Sequence, residues 1–157
     1  VYSGYTGGEE QSPKYKQVAR GLTGHTEAVR IVYDPAKVSY QLLLDVFWRN
    51  IEPTQVDGQF VDRGKQYRTG IYPHGADQRK LAEASKAAMA EKFEDPIAVE
   101  IVDAGTFWPA EDYHQDFYIK SPAHYQRYRT GSGRDAYLKR VWGDEAGGYS
   151  LHDGEKK

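Results

Sequence analysis

Four short clusters of polar and aromatic residues contain side chains that can exchange protons or bind a polar ligand. Glu27 is the strongest candidate, because a carboxyl group buried without a full charge partner has a raised pKa and can donate a proton near neutral pH. Tyr5 and Tyr67 offer hydroxyl groups, and Asp62 and His114 offer a carboxylate and an imidazole. The clusters occupy residues 4–8, 24–27, 62–68 and 111–115.

Each of these side chains also has a structural interpretation. Glu27 can pair with an arginine or accept backbone hydrogen bonds at the start of a strand. Tyr5 and Tyr67 can be packing residues, and His114 can be a structural histidine. His25 and Glu27 are two residues apart on a predicted strand and point to the same side, which formally allows a metal pair. The sequence offers no clear third ligand for such a site.

Composition and charge exclude several classes of function. The 157 residues suit a single domain, and a net charge of −2 from 21 basic and 23 acidic residues gives no basic face for nucleic acid. No apolar run approaches the roughly 20 residues of a membrane-spanning helix. No glycine-rich phosphate loop joins a strand to a helix. The sequence contains no cysteine, so this chain alone supplies no disulfide and no thiol nucleophile.

The first half of the chain contains two strongly periodic segments. Residues 26–33 alternate in polarity and predict a strand, on which Glu27 shares the buried side with Val29. Ser39 is placed to cap an amphipathic helix over residues 40–48, whose apolar side chains recur at helical spacing. The long connection that follows has no periodicity, which is typical of a functional loop.

The second half alternates between regular and irregular segments. Residues 67–72 and 97–101 predict short strands. Residues 107–142 predict an irregular aromatic region that ends in a short helix from Arg134 to Trp142. Between the two strands, an alanine-rich helix is predicted to start at Asp77 and to stop at the segment Glu94-Asp95-Pro96. One side of this helix carries Leu81, Ala84, Ala88 and Phe93.

These elements predict one α+β domain over residues 1–142, followed by a tail over residues 143–157. The predicted architecture is a two-layer, ferredoxin-like sandwich, with helices packed on one face of a mixed sheet and long aromatic-rich loops.

The clusters, in their order along the chain, resemble the A-type peptide methionine sulfoxide reductases. The resemblance extends from Val1 to about Trp142, and six motifs in the right order make it specific. The motifs are SGYTGG (residues 3–8), TGHTEAV (23–29), YDP (33–35), FW (47–48), GKQYR (64–68) and AEDYHQ (110–115).

The resemblance implies reduction of the S-epimer of methionine sulfoxide, free or in proteins, to methionine. In that family a cysteine thiolate attacks the sulfoxide sulfur, and a protonated glutamate, assisted by two tyrosine hydroxyls, delivers a proton to the sulfoxide oxygen. Glu27, Tyr5 and Tyr67 match these catalytic positions. Asp62 and His114 match positions that line the substrate pocket.

The sequence departs from the family at the nucleophile. Relatives carry a Gly-Cys-Phe-Trp segment upstream of the glycine loop, and the sequence from Val1 lacks it. Ser132 stands where some relatives carry a further cysteine. We therefore expect an intact protein that is a reductase and a 157-residue chain that is inactive by itself. The alternatives are a cysteine-less relative that binds methionine sulfoxide or peptide without turnover, or a structural remnant.

The resemblance also implies the partners. The expected substrate is oxidised methionine in peptides or proteins. No metal or cofactor is expected beyond a thiol reductant such as thioredoxin or glutaredoxin, and no nucleic acid or membrane. The protein is expected to be a monomer in the cytoplasm, unless residues upstream of Val1 carry a signal peptide.

Overall fold

The chain folds into helices and short strands, and the computed structural model describes residues 1–148. The strands are β1 (Tyr2–Thr6), β2 (Thr26–Arg30), β3 (Gly58–Gln59), β4 (Asp62–Arg63), β5 (Gly70–Ile71), β6 (Glu100–Ile101) and β7 (Trp108–Pro109). The helices are α1 (Tyr15–Ala19), α2 (Tyr40–Trp48), α3 (Ala76–Lys92), α4 (Phe117–Lys120), α5 (Pro122–Gly131) and α6 (Arg134–Trp142), with 3₁₀ turns at Lys65–Tyr67, Asp112–His114 and Gly143–Glu145. The predicted α+β class is confirmed.

The strands of residues 1–148 form three separate sheets. β2, β1 and β7 are antiparallel and lie in that order, β3 and β4 form an antiparallel pair, and β5 and β6 are parallel. Both kinds of pairing are present, but in different sheets. These pairs do not by themselves form one continuous sheet, so the ferredoxin-like sandwich stays a prediction.

The larger hydrophobic core lies between α2, α3 and the β5–β6 pair. Leu44 and Trp48 from α2 pack against Ile71, Ala82 and Val99, and all five are buried. The helix α2 has the predicted bounds. Its cap is also as predicted, since the Ser39 hydroxyl accepts a hydrogen bond of 3.1 Å from the backbone N–H of Leu42.

The buried face of α3 differs from the prediction. Ala82 and Ser85 are buried, whereas Leu81 is 40% exposed. The physical reason is the bulk of Trp48, which is buried against small residues of α3. Its indole Nε1 donates a hydrogen bond of 3.1 Å to the Ser85 hydroxyl, so a polar residue satisfies the buried indole. The helix ends at Lys92, as the following Glu94-Asp95-Pro96 segment predicts.

The three predicted strands are all shorter in the structure. The strand predicted over residues 26–33 ends at Arg30, because the last register pair of β1 and β2 joins Tyr2 to Arg30. The strand predicted over residues 67–72 reduces to β5, since a 3₁₀ turn takes Tyr67. The strand predicted over residues 97–101 reduces to β6, because β5 offers only two residues to pair with.

The prediction that residues 107–133 are irregular is wrong. This segment contains β7, α4 and α5, and α5 begins with Pro122, which suits the first turn of a helix because its missing N–H has no helical partner there. α6 has the predicted bounds. Within the predicted tail, the N–H of Gly147 donates to the carbonyl of Arg49. Residues 149–157 of that tail lie outside the described residues.

Candidate active site

The antiparallel pairing of β1 with β2 brings Tyr5 and Glu27 together. They are direct register partners, so their side chains leave the sheet on the same face as close neighbours. Tyr5 is buried, at 2% exposure, and packs with Val18 of α1 and Ala110. The tight approach of β7 depends on Gly4, because a Cβ there would overlap the Phe107 ring and the carbonyl of Trp108.

The hydroxyl of Tyr5 is held by Glu111. Tyr5 Oη donates a hydrogen bond of 2.8 Å to Glu111 Oε2, and Glu111 Oε1 accepts a hydrogen bond of 3.0 Å from the backbone N–H of Tyr15. Burial, and then the neighbouring carboxylate, raise the pKa of Tyr5, so the hydroxyl is neutral. Partial burial opposes ionisation of Glu111, but the hydrogen bonds from Tyr15 and Tyr5 hold its pKa below the usual range. The carboxylate of Glu111 is therefore charged.

Glu27 differs from the prediction in its burial. The prediction placed it on the buried side of β2 with Val29, yet Glu27 is exposed and Val29 is 62% exposed. The physical reason is that the residues packed over Tyr5, Val18 and Ala110, leave Glu27 and Val29 in contact with solvent. Desolvation by the surrounding protein, and then the charge of Asp62, still raise the pKa of Glu27. Its solvent contact limits the size of that shift.

Asp62 and Tyr67 approach from the segment around β4. Asp62 accepts a hydrogen bond from the hydroxyl of Tyr128 on α5. Burial, followed by the charges of Glu27 and Asp62, raises the pKa of Tyr67 to about 12. Asp62 thus acts electrostatically on both Glu27 and Tyr67, which shows that the three groups share one region of the structure.

His114 lies beside Tyr15 and Tyr113. Its ring centroid is 4.4 Å from that of Tyr15 and 4.3 Å from that of Tyr113. Burial lowers the pKa of His114 despite the negative charge of Glu111. Its Nε2 atom is buried and has no hydrogen-bond partner within residues 1–148.

The metal pair considered for His25 and Glu27 does not form, because both ring nitrogens of His25 bond to the protein. Nδ1 accepts a hydrogen bond of 3.2 Å from the N–H of Gly8, and Nε2 donates one of 2.7 Å to the carbonyl of Glu10. The described part of the chain contains no group of three or more metal-ligating side chains. His25 instead holds the glycine loop that follows Tyr5.

Sequence reasoning assigned no role to two residues of the site. Glu111 belongs to a cluster that was singled out, but only the folded chain shows that it holds Tyr5, 106 positions away. Tyr128, the partner of Asp62, lies in a segment predicted to be irregular, and no local pattern distinguishes it from the other tyrosines.

Of the five predicted site residues, Glu27 is exposed, Tyr5 is buried and the other three are half-buried. A surface depression of about 640 Å³ lies elsewhere, and its lining includes Lys65, Gln66 and Arg68 but none of the five predicted site residues.

Among the helices of residues 1–148, none is both long and apolar enough to cross a membrane.

Comparison with known proteins agrees with the order of the motifs. The family model described as peptide methionine sulfoxide reductase matches residues 1–146. The chain is 52% identical over 145 residues to peptide methionine sulfoxide reductase MsrA of Bacillus subtilis, covering 91% of this chain and 82% of the relative. It is 51% identical over 145 residues to MsrA of Bacillus licheniformis, covering 91% and 80%.

A solved structure supports the same relationship. The crystal structure of Mxr1 from Saccharomyces cerevisiae in reduced form superposes with a TM-score of 0.73 at 32% identity, covering 77% of this chain and 70% of Mxr1. The sequence match, the family model and the fold agree over most of the chain. The chain therefore belongs to the peptide methionine sulfoxide reductase family.

Proposed function

We propose that the protein reduces the S-epimer of methionine sulfoxide, free or in proteins, to methionine, and so repairs oxidative damage. The observation that carries the proposal is the family match over residues 1–146. The meeting of Tyr5 with Glu27 across β1 and β2, and the electrostatic influence of Asp62 on Glu27 and Tyr67, support it.

In the proposed reaction a cysteine thiolate attacks the sulfoxide sulfur. The S–O bond breaks, the oxygen ends on the cysteine sulfur as a sulfenic acid, and methionine leaves as the sulfide. Glu27 supplies the one proton that this step consumes, and the hydroxyls of Tyr5 and Tyr67 assist it. A raised pKa suits Glu27 to this role, because the acid must carry its proton near neutral pH. Asp62 and His114 are proposed to orient the substrate.

The nucleophile has to come from outside this sequence, which contains no cysteine. We therefore propose that the 157-residue chain is inactive alone and that the full-length protein carries the cysteine. An external dithiol such as thioredoxin or glutaredoxin then reduces the sulfenic acid, releasing water and leaving the dithiol oxidised to a disulfide.

The test compares the 157-residue chain with the full-length protein, each with dithiothreitol and methionine S-sulfoxide, and measures methionine by chromatography. We expect turnover by the full-length protein and none by the 157-residue chain. The R-epimer serves as the control, since the proposed site accepts only the S-epimer.

Each alternative gives a different result. Turnover by the 157-residue chain would remove the cysteine mechanism. A full-length protein that binds methionine S-sulfoxide without reducing it would support the binding alternative, and a protein that neither binds nor reduces it would overturn the proposed substrate.

We also propose that the protein acts as a cytoplasmic monomer. Its charge of −2 gives no reason for attraction to nucleic acid.

The ferredoxin-like sandwich is proposed for the intact protein, with the antiparallel β2-β1-β7 sheet and the parallel β5–β6 pair as parts of one mixed sheet.

A further inference from the structure

The short hairpin of β3 and β4 carries Asp62. Only two register pairs join its strands, and Asp62 lies in the inner pair, opposite Gln59. Phe60, in the turn, has a φ of 56°, which is uncommon for a bulky side chain. A two-stranded hairpin is at best marginally stable in water by itself. The position of Asp62 therefore depends on what holds the hairpin from outside.

Two glutamine side chains fix the internal shape of this segment. Gln55 Oε1 accepts a hydrogen bond of 2.6 Å from the N–H of Phe60, and Gln55 Nε2 donates one of 3.1 Å to the Phe60 carbonyl. Gln59 bonds in the same way to the backbone of Glu52, at 3.1 and 2.8 Å. All of these groups lie within residues 52–60, so the bonds shape the segment but do not attach it to the rest of the domain.

The helix α6 attaches the segment to the domain. The Arg134 guanidinium lies over the Phe60 ring, 4.5 Å from its centroid, and donates a hydrogen bond of 2.6 Å to the carbonyl of Asn50. The Tyr137 ring packs edge-on against Phe60 at 5.7 Å, and its hydroxyl donates a hydrogen bond of 2.9 Å to Glu52 Oε1. These contacts hold the backbone and the turn, and none of them is made to the carboxylate that the hairpin carries.

Tyr128 of α5 makes the contact to the Asp62 side chain. Its hydroxyl donates a hydrogen bond to Asp62 Oδ2, across 66 positions of the chain. Burial, and then this hydrogen bond, raise the pKa of Tyr128, so the hydroxyl keeps its hydrogen and remains a donor near neutral pH. Asp62 is half-buried, so the bond restrains a carboxylate that would otherwise be free to turn toward solvent.

We propose that Tyr128 is a positioning residue, whose hydroxyl holds the Asp62 carboxylate in the one orientation in which it orients the substrate. This rests on the proposed function, in which Asp62 has that role and Glu27 is the acid. The charge of Asp62 also raises the pKa of Glu27. Because like charges repel, a released Asp62 carboxylate turns away from Glu27. Tyr128 thereby sets both the place of the substrate and the acidity of Glu27.

Other titratable and charged groups face the same two carboxyl groups. Arg134 and Tyr67 respond to the charge of Asp62, and Tyr5 and Tyr67 respond to that of Glu27. A substitution of the α5 tyrosine leaves these three groups unchanged. Their contributions therefore cancel when variants are compared in the same background.

The substitution Tyr128→Phe removes only the hydroxyl, from a side chain that is 45% exposed, so the fold is retained. In the full-length protein we expect kcat/KM for methionine S-sulfoxide to fall about threefold, which corresponds to one partly exposed hydrogen bond. Tyr137→Phe is the matched control, because it loses the same kind of bond to another carboxylate of the segment. The control should keep the wild-type kcat/KM.

An Asp62→Ala background separates positioning from general support of the fold. If Tyr128 acts through Asp62, Y128F has no further effect on kcat/KM once that carboxylate is gone. A threefold loss that persists in the Asp62→Ala protein would overturn the proposal. An unchanged kcat/KM in Y128F, or an equal loss in Y137F, would overturn it as well.

A second readout does not need turnover. The titration of the Glu27 carboxyl carbon can be followed by ¹³C NMR in the 157-residue chain. Y128F should move it to lower pH, because the charge of Asp62 then lies farther away, but by less than Asp62→Ala does. In the Asp62→Ala background Y128F should not move it at all.

The two readouts distinguish failure of the proposed function from failure of the inference. If the full-length protein lacks reductase activity but Y128F displaces the titration, the proposed function fails and the hold of Tyr128 on Asp62 stands. A titration that Y128F leaves unchanged, or displaces equally without Asp62, refutes the role of Tyr128 itself.

Discussion

The loop after Tyr5 depends on one buried histidine, and replacing it should be costly. His25 is 1% exposed, and its two ring nitrogens join the backbone of Gly8 at 3.2 Å and of Glu10 at 2.7 Å. His25→Leu keeps an apolar side chain of similar bulk but removes both hydrogen bonds. Each contributes about 0.5–1.5 kcal/mol, and a buried partner left unsatisfied costs about 1–3 kcal/mol. We expect the free energy of unfolding to fall by about 2–3 kcal/mol.

Urea unfolding of the 157-residue chain, followed by far-UV circular dichroism, measures this change. For a domain of this size the same loss should lower the melting temperature by about 4–12 °C. The matched control is His74→Leu, because His74 is exposed and a surface substitution changes stability by about 0.5 kcal/mol or less. If the two variants lose the same stability, the hydrogen bonds of His25 do not hold the loop.

Three further changes test the site and its support. In the full-length protein, Glu27→Gln should lower kcat by about 10²- to 10⁴-fold with little change in KM, and an unchanged steady-state rate would remove Glu27 as the acid. Asp62→Asn removes the charge that helps to raise the pKa of Glu27. The fall in activity on the alkaline side of the pH–rate profile should therefore move to lower pH. A move of this fall to higher pH would contradict the stated effect of Asp62 on Glu27. Ser85→Ala should lower the free energy of unfolding by about 1–2 kcal/mol, because the buried indole N–H of Trp48 loses its acceptor. Urea unfolding measures this change. Equal or greater stability of the variant would show that another group accepts from the indole.

The exposed face beside Glu27 affects the side from which the proposed cysteine can approach the substrate. Val29 lies on the same face and is exposed, so the described part of the chain leaves this side of the site to solvent. Catalysis by a neutral carboxyl group gains from exclusion of water, because desolvation favours the uncharged acid. The proposed cysteine-bearing residues would have to approach this side to reach a sulfoxide held by Glu27.

The sequence by itself determined the parts of this protein that depend on local chemistry. Ser39 and the helical spacing after it predicted α2 correctly, since a cap and an amphipathic repeat act within a few residues. The order of the motifs identified the family, and with it the candidate roles of Glu27, Tyr5 and Tyr67. These inferences need no knowledge of distant contacts.

Only the tertiary structure decided the features that depend on residues far apart in the chain. Alternation along β2 indicated a buried Glu27, but burial depends on what covers a face: Val18 and Ala110 cover Tyr5, whereas Glu27 and Val29 remain exposed. Glu111 and Tyr128 bind Tyr5 and Asp62 across 106 and 66 positions. No local pattern encodes such a contact, because the pairing of β1 with β7 and the packing of α5 bring these side chains together only after the chain has folded.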